Sequence, residues 1–103
     1  MKGYGRFGRL QAEPGKGDEL ASILMEASKV VSSATGCQIY LVGRDVNDSD
    51  CLWVYEVWRK RENHQNSLKL REVRELIAKA VPIIRAMSET PFEFDILGGK
   101  GIT

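Results

Sequence analysis

Apolar positions along the chain switch between a period of two and a period near 3.6, and the switches divide it into a short series of elements. Residues 4–12 alternate like a strand, with Phe7 on one side and Leu10 and Ala12 on the other. Glu13-Pro14-Gly15-Lys16-Gly17 is a loop of strong turn residues, and Asp18 is placed to cap the helix that follows. Leu20, Leu24, Ala27, Val31 and Ala34 recur at helical spacing, Ile23 and Val30 widen the stripe, and Gly36 stands where a C-terminal glycine belongs. A second strand is predicted over 37–44, a polar turn over 45–50 and a third strand over 51–59, rich in residues that favour pleated structure. A short helical piece from about Arg61 through Leu68 precedes a longer one from about Arg71, which carries Val73, Leu76, Ile77, Ala80 and Ile84. Pro82 sits inside that stretch and should kink or shorten it. A fourth strand is expected over 92–97.

The order is β-α-β-β-α-β, which predicts an α+β fold of the ferredoxin-like kind: a four-stranded antiparallel sheet with its helices on one face. Residues 1–97 form one domain in this reading, and the glycine-rich 98–103 a flexible tail. The third strand places Trp53, Tyr55 and Val57 on one side and Leu52, Val54, Glu56 and Trp58 on the other. Both sides are bulky, yet helices cover only one face, and a soluble monomer seldom leaves such a face in water. A twofold dimer of identical chains is the expected remedy.

Composition narrows the function. The 103 residues carry 15 basic and 14 acidic side chains, a net charge of +1. Nucleic-acid or membrane-surface binding needs a concentrated basic face, so neither is expected. Arg59-Lys60-Arg61 is followed at once by Glu62, and Glu72 and Glu75 alternate with Arg71 and Arg74, as on a solvated helix face. No secretory signal is visible and no apolar run approaches the roughly 20 residues that span a bilayer, so a cytoplasmic location is expected. Cys37 and Cys51 flank one hairpin, but Cys37 should lie opposite a residue near 58 and Cys51 opposite one near 44. Two separate thiols are therefore predicted.

Few motifs carry chemistry. Gly3-Tyr4-Gly5-Arg6-Phe7-Gly8 spells G-x-G-x-x-G, but a strand overlaps it and no helix N-terminus follows to receive a pyrophosphate. His64 is the sole histidine, suited to a general base and equally at home on a helix surface. No histidine pair or cysteine cluster supports a metal site. Glu56 and Trp58 share one strand face; under the helices, Trp58 would be a flat wall for an aromatic ligand or simply core, and Glu56 a buried carboxylate in need of a partner. Arg9 is one candidate for that partner.

Tyr55-Glu56-Val57-Trp58 on the third strand, the Glu-Pro-Gly-Lys-Gly loop, the Gly36-Cys37 step and Ser67-Leu68 together resemble the antibiotic biosynthesis monooxygenase family. The resemblance covers nearly the whole chain and implies a dimeric α+β barrel related to quinol monooxygenases. It also implies oxygen chemistry without metal, flavin or other cofactor, on a small aromatic hydroquinone or phenol, with O2 as co-substrate. On that basis His64 would accept the proton and Trp58 would stack on the ring. Tyr40, Tyr55 and Ser67 would contact substrate, and Glu56 and Arg9 would orient their neighbours. Many relatives have a histidine nine positions after the tryptophan, where this chain has Ser67; His64 lies one helical turn earlier. Relatives that degrade haem use a helix histidine as iron ligand, and Leu68 occupies the nearby position. A non-catalytic ligand-binding or interaction module, or an isomerase on the same scaffold, are the competing expectations.

Overall fold

The computed structural model describes residues 3–87 and 91–102. The elements are β1 (Gly3–Ala12), α1 (Gly17–Val31), β2 (Cys37–Asp45), β3 (Asp48–Trp58), α2 (Arg61–Ser67), α3 (Arg71–Ala80), a 3-10 turn (Val81–Ile83), β4 (Ile84–Met87) and β5 (Phe92–Ile96). The sheet is antiparallel in the order β2-β3-β1, and the far edge of β1 is shared between β4 and β5. This is the expected α+β, ferredoxin-like arrangement, with the fourth strand position filled by two short segments instead of one.

β4 is the element the sequence pattern hid. Ile84 continues the helical spacing of Val73, Leu76 and Ala80, so the longer helix was expected to run through it. Pro82 has no N–H for the helical ladder, and α3 stops at Ala80. Ile84 then extends and pairs with Ala12 past a bulge in β4, where Arg85 is the extra residue between the Gln11–Ala86 and Ala12–Ile84 pairs.

Strand register sorts side chains between two faces. Even-numbered residues of β1, β2 and β3 face the helices, where Ala12, Leu52 and Val54 pack with Leu20, Leu24 and Ala80. A second cluster joins Tyr4, Val31, Trp58 and Val73. Odd-numbered residues form the opposite face, an aromatic row in which Trp53 stacks on Phe7 at 4.9 Å, Phe7 meets Tyr55 edge-on at 6.1 Å and Tyr55 lies over Phe94 at 6.1 Å. Leu41, Phe92 and Phe94 of the same face are exposed in the single chain. Cys37 pairs with Trp58 and Cys51 lies beside the Arg44–Leu52 pair, so the two thiols are well apart and free.

α1 begins differently from the expectation. Asp18 lies in the first turn instead of at the cap, and the cap comes from the neighbouring hairpin. Asp50 accepts hydrogen bonds from the amides of Gly15 (3.0 Å) and Gly17 (2.9 Å), so a carboxylate meets the positive end of the helix dipole. The approach is close enough that a Cβ on Gly17 would collide with the Ser49 carbonyl oxygen and with Asp50. At the other end, Gly36 (φ 82°) adopts the left-handed conformation, and Arg59 donates its amide hydrogen to the Gly36 carbonyl.

Asp50→Ala should lower unfolding stability by about 1 kcal/mol, the usual cost of a lost cap. Gly17→Ala should cost more, because backbone must move to admit the methyl group. Urea unfolding of the two variants checks the order, and equal stability of Gly17→Ala and the parent would contradict this docking of helix on hairpin.

Candidate functional site

One row of side chains crosses the helix-facing side of the sheet. Register aligns Tyr40 of β2 with Glu56 of β3, Glu56 with Arg6 of β1, and Arg6 with Glu93 of β5. An acid, a base and an acid thus stand side by side where the remaining even positions are mostly apolar. α2 crosses above them and brings His64, which is 7% exposed, down onto the row.

Glu56 is the most constrained member. Its Oε1 accepts a hydrogen bond from the Trp58 indole N–H (3.1 Å), and its Oε2 lies 3.7 Å from Nε of Arg6. Burial pushes its carboxyl above the usual carboxylate range, while the Trp58 bond and Arg6 pull the other way. His64 bridges the pair: Nε2 is 3.8 Å from Glu56 Oε1, and Nδ1 is 3.5 Å from Arg6 NH1. A guanidinium only donates, so Nδ1 must present its lone pair to Arg6 and the proton sits on Nε2, towards Glu56. Burial first and the Arg6 charge second hold His64 down at about 4, so the imidazole is neutral near neutral pH. Its ring also meets Tyr4 and the edge of Trp58, each at 5.9 Å between centroids.

Arg6 continues outward. Its NH1 donates to the Tyr4 hydroxyl at 3.3 Å, Tyr4 donates to Glu93 at 2.5 Å, and Glu93 pairs with Arg61 at 2.8 Å. Arg61 also lies over the Tyr4 ring at 5.3 Å. Burial and the bond to Glu93 raise the Tyr4 hydroxyl, and the Tyr4 bond holds Glu93 below the usual carboxylate range.

Two connected hollows open beside this row. The larger, of about 290 Å³, is lined by Arg6, Gly8, Tyr40, Glu56, His64 and Met87 among others. The smaller, of about 110 Å³, runs under the helices past Ile23, Leu24, Ala27, Leu76 and Ile77 and shares Tyr40, Glu56 and His64 with the first. Tyr40 is half-buried, and burial pushes its hydroxyl well up. Ser67 borders the smaller hollow, but its hydroxyl donates to the His64 carbonyl at 2.6 Å, which ties the last turn of α2. The site therefore combines a neutral imidazole, a largely buried carboxylate, a guanidinium and mostly apolar walls, a set able to accept a proton and hold an anion. Among the described residues no group of three or more His, Cys, Asp or Glu side chains is arranged to hold a metal ion, and no helix is long and apolar enough to cross a membrane.

Three site expectations need correction. Arg9 borders the larger hollow, but it pairs with Trp53 and lies on the opposite face from Glu56; the cation at Glu56 is Arg6. Tyr55 is adjacent in sequence to Glu56 and so points the other way, into the Phe7–Phe94 row. Trp58 is fully buried between Tyr4, Val31 and Val73 and borders neither hollow, so it fills core and orients Glu56 rather than stacking on a ligand. Arg6, Tyr4 and Glu93 were overlooked. A signal for Arg6 was available: it has the parity of Leu10 and Ala12, which the alternation already assigned to the core side.

The imidazole gives stability a pH dependence. Unfolded, it titrates near 6.5; folded, at about 4. Between those values the unfolded chain binds more protons, so stability falls on acidification, by at most about 1.4 kcal/mol per pH unit. Glu56, raised by burial, contributes the opposite slope above its ordinary value of 4.5 in the same region. The stability advantage of the parent over His64→Gln should therefore shrink steadily from pH 6.5 to 4, as followed by denaturant unfolding. A constant difference would mean that His64 is not buried in its neutral form.

Comparison with known proteins bears on the fold and the family. The family model for antibiotic biosynthesis monooxygenases matches residues 4–79. A solved protein from Chloroflexus aurantiacus, assigned to the antibiotic biosynthesis monooxygenases, shares 40% identity over 98% of this chain and 99% of its own, with a TM-score of 0.88. A Pseudomonas aeruginosa structure shares the fold at 15% identity, covering 95% of this chain and 97% of its own, with a TM-score of 0.84. A cofactor-independent oxygenase from Streptomyces nogalater does so at 10% identity, covering 95% of this chain and 96% of its own, with a TM-score of 0.80. No curated protein matched the sequence. With a family match over 4–79 and a solved relative of 40% identity along almost its whole length, the chain belongs to the antibiotic biosynthesis monooxygenase family.

Proposed function

We propose that this protein is a cofactor-independent monooxygenase that oxidises a small hydroquinone or phenol with molecular oxygen. The observation that carries the reading is the neutral His64 imidazole, buried with Glu56 on a shared cavity wall under the helices. A hollow of about 290 Å³ suits a ligand of one or two rings, near the lower end of small-molecule sites at about 300–1,000 Å³. The structure from Streptomyces nogalater, a cofactor-independent oxygenase of the same fold at 10% identity, is consistent with this reading.

In this mechanism the protein holds the ring and His64 takes a phenolic proton. Glu56, facing Nε2, favours the imidazolium that results. The deprotonated substrate then passes an electron to O2, and the radical pair couples to form a carbon–oxygen bond. Breaking the O–O bond releases water and leaves one oxygen in the ring as a hydroxyquinone. Four electrons leave the hydroquinone and reduce O2, so no further reductant is required. Apolar walls keep water from the intermediate.

We also propose that a second copy of the chain covers the odd-numbered sheet face, since Leu41, Phe92 and Phe94 lie exposed beside the aromatic row. Both thiols are free, as suits a reducing compartment.

Purified protein should consume oxygen with at least one of a panel of hydroquinones, after subtraction of autoxidation and with metals chelated. His64→Ala should slow turnover about 10²–10⁴-fold while the fold is retained. Trp58→Ala is unsuitable as a probe of the site, because truncating a fully buried tryptophan costs about 3–5 kcal/mol of stability. Absence of protein-dependent uptake across the panel would discard the oxygenase in favour of a ligand-binding module or an isomerase. Light scattering should give twice the chain mass, with Phe92→Glu plus Phe94→Glu shifting it to one; a parent that is monomeric at micromolar concentration would refute the dimer.

A further inference from the structure

A phenolic proton transferred to His64 leaves an oxyanion in a cavity with largely apolar walls, and an imidazole is a weak acceptor for it unless that charge is met. The structure places the Arg6 guanidinium in position to meet it. The Arg6 guanidinium lines the larger hollow and reaches to 3.5 Å from Nδ1 of His64, the atom that receives the proton. Its contacts to Tyr4 (3.3 Å), His64 (3.5 Å) and Glu56 (3.7 Å) are all longer than the roughly 2.7–2.9 Å of a good charge-assisted bond. Gly8, the next helix-facing position on β1, has no side chain; among the described residues a Cβ there would meet Pro91, at 3.6 Å. Arg6 and Gly8 thus line the same hollow side by side.

We propose that Arg6 is the oxyanion-binding residue of this cavity and restricts its ligands to rings bearing an ionisable hydroxyl, seated beside the guanidinium and Nδ1 of His64 within reach of both. This rests on the same site as the proposed activity but makes a separate claim, about which ligands the cavity admits and in which ionic form. In the neutral state the hydroxyl donates to Nδ1 and accepts from Arg6. After proton transfer the oxyanion accepts from both Arg6 and the imidazolium. Charged and titratable groups approach this spot from several elements: Glu56 on β3, Tyr40 on β2, Tyr4 on β1, Glu93 on β5, and His64 and Arg61 on α2, with Arg9 of β1 at the border of the same hollow. Glu93 is already paired with Arg61 and Tyr4, so Glu56 is the anion that competes most directly for Arg6.

A nitrophenol that ionises near neutrality and changes colour on doing so tests the proposal without reference to turnover. Bound to the parent protein, its apparent pKa should fall by about 1–3 units relative to free solution, the range for an opposite charge within about 4–6 Å. Arg6→Gln should abolish that shift, and Arg6→Lys should keep part of it. Because Arg6→Gln leaves Glu56 buried without its cation, Arg6→Gln combined with Glu56→Gln is the decisive variant. A bound probe that ionises as readily in this double variant as in the parent overturns the proposal. So does failure of the parent to bind the probe at millimolar concentration. Oxygen uptake plays no part in the readout, so a failed oxygenase and a failed oxyanion site give different results.

Discussion

The site depends on a carboxylate placed where water cannot reach it easily. Glu56 sits on the buried side of a central strand, and an isolated charge there would be costly. Two partners offset that cost: the Trp58 indole two residues along the same strand, and Arg6 directly across in β1. Trp58 must be buried to reach Glu56, which explains why the largest side chain of the core is spent on a hydrogen bond as well as on volume. Arg6 in turn brings a positive charge against Nδ1 of His64, and this, with burial, keeps the imidazole neutral. A single carboxylate thus governs the cation, the tautomer of the base and the direction of its proton.

The scaffold around this row serves to hold register. A shift of one residue in either pairing of β1 or β3 would send Arg6, Glu56 or both to the aromatic face. Asp50 ties the β2–β3 hairpin to the start of α1, and Gly36 ties the end of β3 to the turn before β2. The row is therefore fixed at both ends of the sheet. At the far edge β4 and β5 share β1, and there the polar chain from Arg6 through Tyr4 to Glu93 and Arg61 leads out of the cavity to solvent.

Much of this was legible in the chain. Alternation and helical spacing placed the first three strands and the helices within a few residues, because both depend on which neighbours a side chain has along its own element. They also separated Glu56 and Trp58 from Trp53 and Tyr55, and by the same parity Arg6 from Arg9. Reading Tyr55 and Arg9 into the site set that parity aside. Ile84 misled for the opposite reason: its spacing is helical, and only the missing N–H of Pro82 and a free edge on β1 make it a strand.

What the sequence by itself determined is the order of elements apart from β4, the face that most residues of the first three strands take and the family to which the chain belongs, since these follow from local periodicity and from residues read in line. Only the tertiary structure decided that Trp58 is core rather than ligand wall, that Arg6 is the cation opposite Glu56, that Asp50 caps α1 from another element and that His64 turns inward. Each of these rests on pairing between residues far apart in the chain, where the free energy comes from excluding water between two surfaces and no pattern within one segment records which partner arrives.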